Sequence, residues 1–190
     1  MRTCLSTVVV ALASSAIGCA TAPGTPVAAN AGDDAACWPV VPLELQALEH
    51  GREWEPVSHL LADGTVTNAR GPFGRIATDH MTIGKDGGPV LLEGKCAGRD
   101  VEMTSPLMPN FRARATYTER GELTEVSGFD ARIFVADDGL VEARLGHRGA
   151  AWFGRPGSGG GVIRVVGDVK RARRTAALLV YTTVGIGAGR

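Results

Sequence analysis

Residues 111 to 119 alternate without a break, with Phe111, Ala113, Ala115 and Tyr117 in one set and Arg112, Arg114, Thr116 and Thr118 in the other. A helix would wind both sets around one cylinder. In a strand successive side chains point to opposite faces, so one face is buried and the other is wet. Val141, Ala143 and Leu145 alternate with Glu142 and Arg144 in the same way, and Val101 and Met103 flank Glu102. Between such runs stand Asp63-Gly64, Asp86-Gly87-Gly88, Arg120-Gly121 and Asp138-Gly139, each supplying a residue that takes positive φ in a tight hairpin. The expectation is an all-β domain, an antiparallel meander of about eight to ten short strands that forms a small barrel or a sandwich.

Other stretches are less decisive. Ile133 to Ala136 and Val162 to Val166 are continuously apolar and read as central or covered strands. Leu43 to Glu49 reads either as one short N-terminal helix, opened after Pro42 and stopped by Gly51, or as a strand with Leu43, Leu45 and Ala47 on one face. Thr175 to Val184 reads as a last β-strand, on the β-branched and aromatic content from Val180 through Tyr181, Thr182, Thr183 and Val184. The basic run Lys170 to Arg174 before it reads as a solvated edge, with contact to anionic lipid or a partner as the other reading. The apolar run from Thr175 to Ala188 contains Gly185 and Gly187 and falls short of the ~20 residues that span a bilayer. Ten aromatic residues and unevenly spaced strands do not suit the two girdles of a membrane barrel.

The first eighteen residues follow another logic. They hold Arg2 and no acid, then an apolar run from Leu5 to Ala13, then Ser14-Ser15-Ala16-Ile17-Gly18 before Cys19, the charged, apolar, small-residue order of a secretory signal. Ala16-Ile17-Gly18-Cys19 resembles the lipobox of bacterial lipoproteins, with Ala16 where that family usually has Leu. The resemblance implies cleavage before Cys19, a diacylglyceryl thioether on its sulfur and acylation of the new amino terminus. Several acyl chains together give a stable anchor. An ordinary signal cut near Ala20 or Ala22 is the other reading, and would discard Cys19. Ala20 stands where some lipoproteins carry the Asp that retains them in the inner membrane, so the resemblance implies a location in the cell envelope, outside the cytoplasm, at the outer membrane. The organisation expected is a signal peptide over 1–18, a lipidated tether of Ala, Thr, Pro, Gly, Asn and Asp over 19–36, a β-rich domain over 37–185 and a frayed tail over 186–190.

Cys4 leaves with the signal and Cys19 goes to lipid, so Cys37 and Cys96 remain as an even pair in an oxidising compartment. They are expected to form a disulfide, which at that loop length stabilises a fold by about 4 kcal/mol on the chain-entropy model. With Arg2 gone the chain carries nineteen basic and twenty acidic residues, which offers no bulk attraction to nucleic acid. Residues 19 to 69 hold seven acids against Arg52, whereas residues 70 to 190 hold eighteen bases and thirteen acids. Either the acidic segment lies against the domain, or a basic surface meets anionic headgroups or polysaccharide.

The four histidines, His50, His59, His80 and His147, form no metal-binding spacing. Asp79-His80 has the makings of half a hydrolase dyad, and Ser158 lies in a glycine-rich loop where Pro156 takes the first Gly position of a nucleophile elbow. Asp33-Asp34 falls in the tether and Asp137-Asp138 opens a turn. No catalytic residue, metal ligand or cofactor is assigned. The function expected is a non-enzymatic, membrane-tethered interaction or envelope-structural domain, with an envelope protein or polysaccharide as its partner. The alternatives are a barrel that binds a lipid or small apolar ligand, and a hydrolase built from His80 or His147 with Ser158. Space left inside by Ala113, Ala115 and Ala143 favours binding, whereas an interior filled by Phe111, Tyr117, Trp152 and Phe153 favours a scaffold.

Overall fold

The computed structural model of the protein describes residues 36–49, 53–84, 88–127, 130–146, 151–157 and 160–185. These belong to one compact unit, Ala31–Arg190. The signal peptide, Cys19, the rest of the tether before Ala36 and the tail over 186–190 lie outside the described residues, as do His50, His147 and Ser158.

Thirteen strands follow one another in a meander. The first six are Leu43–Glu49 (β1), Glu53–Leu60 (β2), Thr65–Asn68 (β3), Gly71–Ile76 (β4), His80–Gly84 (β5) and Val90–Ala97 (β6). Asp100–Ser105 (β7), Met108–Tyr117 (β8), Leu123–Ser127 (β9) and Arg132–Val135 (β10) continue it. Val141–Leu145 (β11), Ala151–Phe153 (β12) and Ile163–Gly167 (β13) complete it. The count exceeds the eight to ten expected, because turns such as Ala69-Arg70 and Pro106-Leu107 divide what reads as longer segments.

Each strand from β1 to β11 pairs antiparallel with the next, and β13 pairs with the free side of β1. The sheet then nearly closes. Val165 N–H donates to the Gly139 carbonyl at 2.8 Å, and isolated bridges join Leu140 to Arg164 and Phe153 to Gly161. This curling into a barrel covers edges that an open sheet would expose. Alternation persists where the sequence looks continuous: Ile133 and Val135 are buried beside exposed Arg132, and Ile163 and Val165 are buried beside exposed Val166. Leu43 to Glu49 resolves as a strand, not a helix, with hydrogen-bonded neighbours on both sides.

The principal correction lies at the end of the chain. Arg173–Val180 is an α-helix (α1), continued by one wide π-helical turn over Tyr181–Gly185, where a last strand is expected from sequence. Arg173, Ala176, Ala177, Leu178 and Leu179 are good helix formers, and the β-branched residues cluster later, in the π turn. Arg173 and Arg174 at its start are half-buried, and Thr175 through Val180 are all buried, so beyond its first two residues the helix carries no polar stripe. Lys170 to Ala172 form the preceding turn, and Arg173 and Arg174 open the helix, so their charges are not divided between strand faces.

A helix buried on every side has to be enclosed. Helix α1 packs against β1, β9 and β10. Its Arg174 carbonyl accepts from Tyr117 of β8, and Thr183 in the π turn hydrogen-bonds Ser58 of β2 at 2.9 Å. Strands β1 and β2 stand far from β8, β9 and β10 in the sheet order, so the sheet wraps around the helix.

Candidate functional site

Three places on the molecule gather polar chemistry, and each is built by a different part of the fold. The first is the rim where the chain enters the barrel. Cys37 and Cys96 are joined by a disulfide with a Cα–Cα distance of 6.0 Å, tying the segment before β1 to β6. Trp38 is wholly buried, its backbone N–H donates to the Thr78 carbonyl at 2.9 Å, and its indole N–H donates to the Tyr117 hydroxyl at 2.8 Å. Thr175 Oγ1 donates to the Pro39 carbonyl at 2.8 Å. One segment thus stitches the β4–β5 turn, β6, β8 and α1 together.

Beside that seam opens a cleft of about 380 Å³, lined by Ala36, Cys37 and Pro39 together with Glu119, Arg120, Lys170, Arg171, Arg173 and Arg174. Arg174 donates from Nη1 to the Gly98 carbonyl at 3.1 Å and covers the Tyr117 ring at 5.5 Å. Arg120 and Arg173 lie over Phe134 at 4.5 and 5.6 Å, and Arg173 also pairs with Asp137. These are cation–π contacts with partly desolvated rings.

The second place is the outward face of β5 to β8, which forms an open groove of about 1020 Å³. Register sets its chemistry. His80, Lys95, Glu102 and Arg114 stand opposite one another across four strands, and Thr82, Glu93, Thr104 and Arg112 form the next row. Opposite charges facing across strands stabilise such a sheet by roughly 0.2–1 kcal/mol a pair. His80 Nδ1 lies 2.9 Å from Asp79 Oδ1 at the lip of this groove, with the side chains 59% and 74% exposed. The hydrogen bond from His80 holds the Asp79 carboxyl below its usual range. That pair is solvated, which is a poor setting for a catalytic dyad.

The third place is internal. Glu125 of β9 is buried at 3% exposure and accepts a hydrogen bond from Tyr181. Burial pushes the Tyr181 hydroxyl pKa well up, and the Glu125 charge and hydrogen bond add to the rise. Leu123 and Glu125 share the inward phase of β9, so an acid inside the barrel was there to be read once that strand was given its alternation.

The remaining residues singled out from sequence are scattered. His59 Nδ1 lies 3.4 Å from Glu44 on the β1–β2 surface. Asp138 Oδ1 accepts from Leu140 N–H, and Asp63 accepts from the Thr65 amide and hydroxyl, which lower its carboxyl pKa. Both are turn-forming acids. Ala113, Ala115 and Ala143 face inward, but the interior they border also holds α1. Tyr117 is inside, Phe111 and Phe153 are partly buried against the core, and Trp152 is 37% exposed. Among the described residues there is no group of three or more His, Cys, Asp or Glu able to hold a metal ion, and no helix is long and apolar enough to cross a membrane. Comparison with protein-family models, curated proteins and solved structures returned no match, so chemistry and geometry alone guide the functional reading.

Proposed function

We propose that this protein is a membrane-tethered extracytoplasmic lipoprotein domain that works without catalysis, as an interaction or structural module of the cell envelope. The observation that carries this reading is the occupant of the barrel. Helix α1 fills the interior with Ala176 to Val180, each 0% exposed, where a ligand-binding barrel keeps a cavity. A ligand inside would have to expel that helix. The outward face, by contrast, presents an open groove with ordered rows of opposite charge, suited to a polar partner such as an envelope protein or a polysaccharide. The Cys37–Cys96 disulfide supports an oxidising compartment, in keeping with export.

Two arms test it. Cys19→Ala should move the protein from the membrane fraction to the soluble one and abolish labelling by radioactive palmitate; retention of the variant on membranes would sink the anchor. Photo-crosslinking from Lys95 or Arg112 in cells should yield adducts with envelope material. Lipid co-purifying with the barrel in native mass spectrometry, without such adducts, would replace this reading with the apolar-ligand binder.

A further inference from the structure

We infer that the tip of the β7–β8 hairpin, Pro106-Leu107-Met108-Pro109, enters the interfacial layer of a lipid bilayer, so that the domain stands on the membrane by this end of the barrel. The inference rests on the tethered-lipoprotein reading and adds to it the point of contact. Leu107 and Met108 are neighbours, 57% and 55% exposed, more than any other large hydrophobic residue among the described ones. Proline stands on either side of them, and no ionisable residue lies between Glu102 and Arg112. Apolar residues scattered singly over a surface are ordinary, whereas an uncharged apolar turn at a hairpin end marks a place of contact.

The shape of the tip selects the partner. Strands β7 and β8 close on each other between Ser105 and Met108, and the described pairing of β8 with β9 runs only from Arg114 to Tyr117. Met108, Pro109 and Asn110 are accordingly all exposed, where a covered strand would alternate. A convex turn of this kind needs a matching socket in a protein, but a bilayer interface admits it without one. Its backbone suits that layer. Pro106 and Pro109 have no N–H, and Met108 is registered against Ser105, so few donors are left to satisfy away from water. Interfacial segments sink about 5–10 Å into the boundary between headgroups and acyl chains. Arg112 lies four residues along β8 from Met108, about 13 Å of strand, so its charge stays in the water.

The tether permits this posture. Cys37 is bonded to Cys96 near the Gly98-Arg99 turn, so the chain enters the fold at the opposite end of β7 from Pro106-Leu107. Seventeen residues separate Cys19 from Ala36, a reach of at most about 60 Å. The ten residues of β8 span only about 33 Å. The tether can therefore run the length of the barrel while the tip sits in the bilayer. Held there by the anchor, the tip meets the surface at high effective concentration, and two apolar side chains suffice where they would not recruit a free domain.

Acylated protein, purified from membranes, is labelled with the environment-sensitive fluorophore NBD and reconstituted into phosphatidylcholine vesicles. One sample carries the label on Asn110→Cys, beside the tip, and another on Ala62→Cys, in the β2–β3 turn at the entry end, where Leu60 is registered against Leu43. Emission from residue 110 should be blue-shifted, roughly twice as intense as that from residue 62, and quenched by lipid bearing a nitroxide on its acyl chain. The difference should survive ~1 M salt, where attraction between charges is screened. Adding Leu107→Glu and Met108→Glu, with the melting temperature checked against wild type, should return residue 110 to the level of residue 62 while the anchor keeps the protein on the vesicles. Water-like emission from both labels on vesicle-bound protein overturns the insertion and leaves the anchor intact. A blue shift at residue 62 alone places the other end on the bilayer, and the proposal falls. Protein that binds no vesicle overturns the anchor reading and the insertion with it. If the tip variant behaves like wild type on vesicles but loses a protein crosslink in cells, the tip belongs to a protein partner and the bilayer assignment is wrong.

Discussion

Trp38 and Tyr117, seventy-nine residues apart, meet side chain to side chain inside the rim: the indole N–H donates to the Tyr117 hydroxyl at 2.8 Å, and that hydroxyl donates onward to the Arg174 carbonyl at 3.0 Å. The relay joins the segment before β1, strand β8 and the first turn of α1. Tyr117→Phe would keep the ring but leave the buried indole donor without its partner, and would remove the extra hydroxyl donor from the Arg174 carbonyl, which keeps its intrahelical bond. The expected cost is about 2–3 kcal/mol, read as a lowered urea midpoint with an unchanged slope. Adding Trp38→Phe to that variant should cost less than it does alone, since one end of the bond is already gone. Additive losses would show that the two residues act independently.

Much of this arrangement is legible in the sequence, and the part that is not has a physical reason. Alternation over Phe111 to Tyr117 and Val141 to Leu145 reports which face is wet, and the structure keeps that phase: Ala113, Ala115, Tyr117, Val141, Ala143 and Leu145 are all buried. The Cys37–Cys96 pairing follows from reading Cys4 into a leader and Cys19 into an anchor, a reading that leaves two cysteines. Helix α1 was hidden because burial on all sides removes the polar stripe by which a surface helix is recognised. The basic cleft was hidden for another reason. Arg120 joins Lys170 to Arg174 only through the β8–β9 turn, a contact no local pattern records.

The disulfide closes the chain between positions separated by 59 residues, and it anchors the seam over the barrel mouth. Cys37→Ser with Cys96→Ser should destabilise the domain by about 4 kcal/mol, or lower its melting temperature by about 10 °C. Mass analysis of the unreduced wild type should find the two cysteines joined. Two alkylatable thiols, or a variant that melts with wild type, would refute the role given to the bond.

Closure of the sheet depends on Gly139. Its φ is +81°, and a β-carbon placed there would lie 2.1 Å from the Val165 carbonyl oxygen, backbone that cannot turn aside as a flexible side chain can. Gly139→Ala therefore carries both left-handed strain and displacement of β13, for a loss of about 2–4 kcal/mol. Hydrogen exchange should localise it. The Val165 amide, which donates to the Gly139 carbonyl, should lose protection first, while Trp38 N–H stays slow. Uniform loss of protection would mean that the seam is not a separable element.

Alkaline titration offers the most direct view of the packed interior, because Tyr117 and Tyr181 are the chain's two tyrosines and both are buried. Burial raises the Tyr117 pKa, partly offset by the Trp38 hydrogen bond and the Arg174 charge, and burial together with Glu125 raises that of Tyr181. Below about pH 10 folded and unfolded chains both keep these protons, so the two tyrosines make no pH-dependent difference there. Above it the unfolded chain releases protons that the folded one retains, so stability falls as pH rises through that region. Tyrosinate absorbance should accordingly stay absent through about pH 11, then appear together with loss of β-sheet circular dichroism instead of preceding it. Glu125→Gln removes a charge that opposes ionisation of Tyr181 and should bring forward part of the tyrosinate signal. A signal rising near pH 10 in a chain whose circular dichroism is intact would show the tyrosines open to solvent, and the barrel not filled as described.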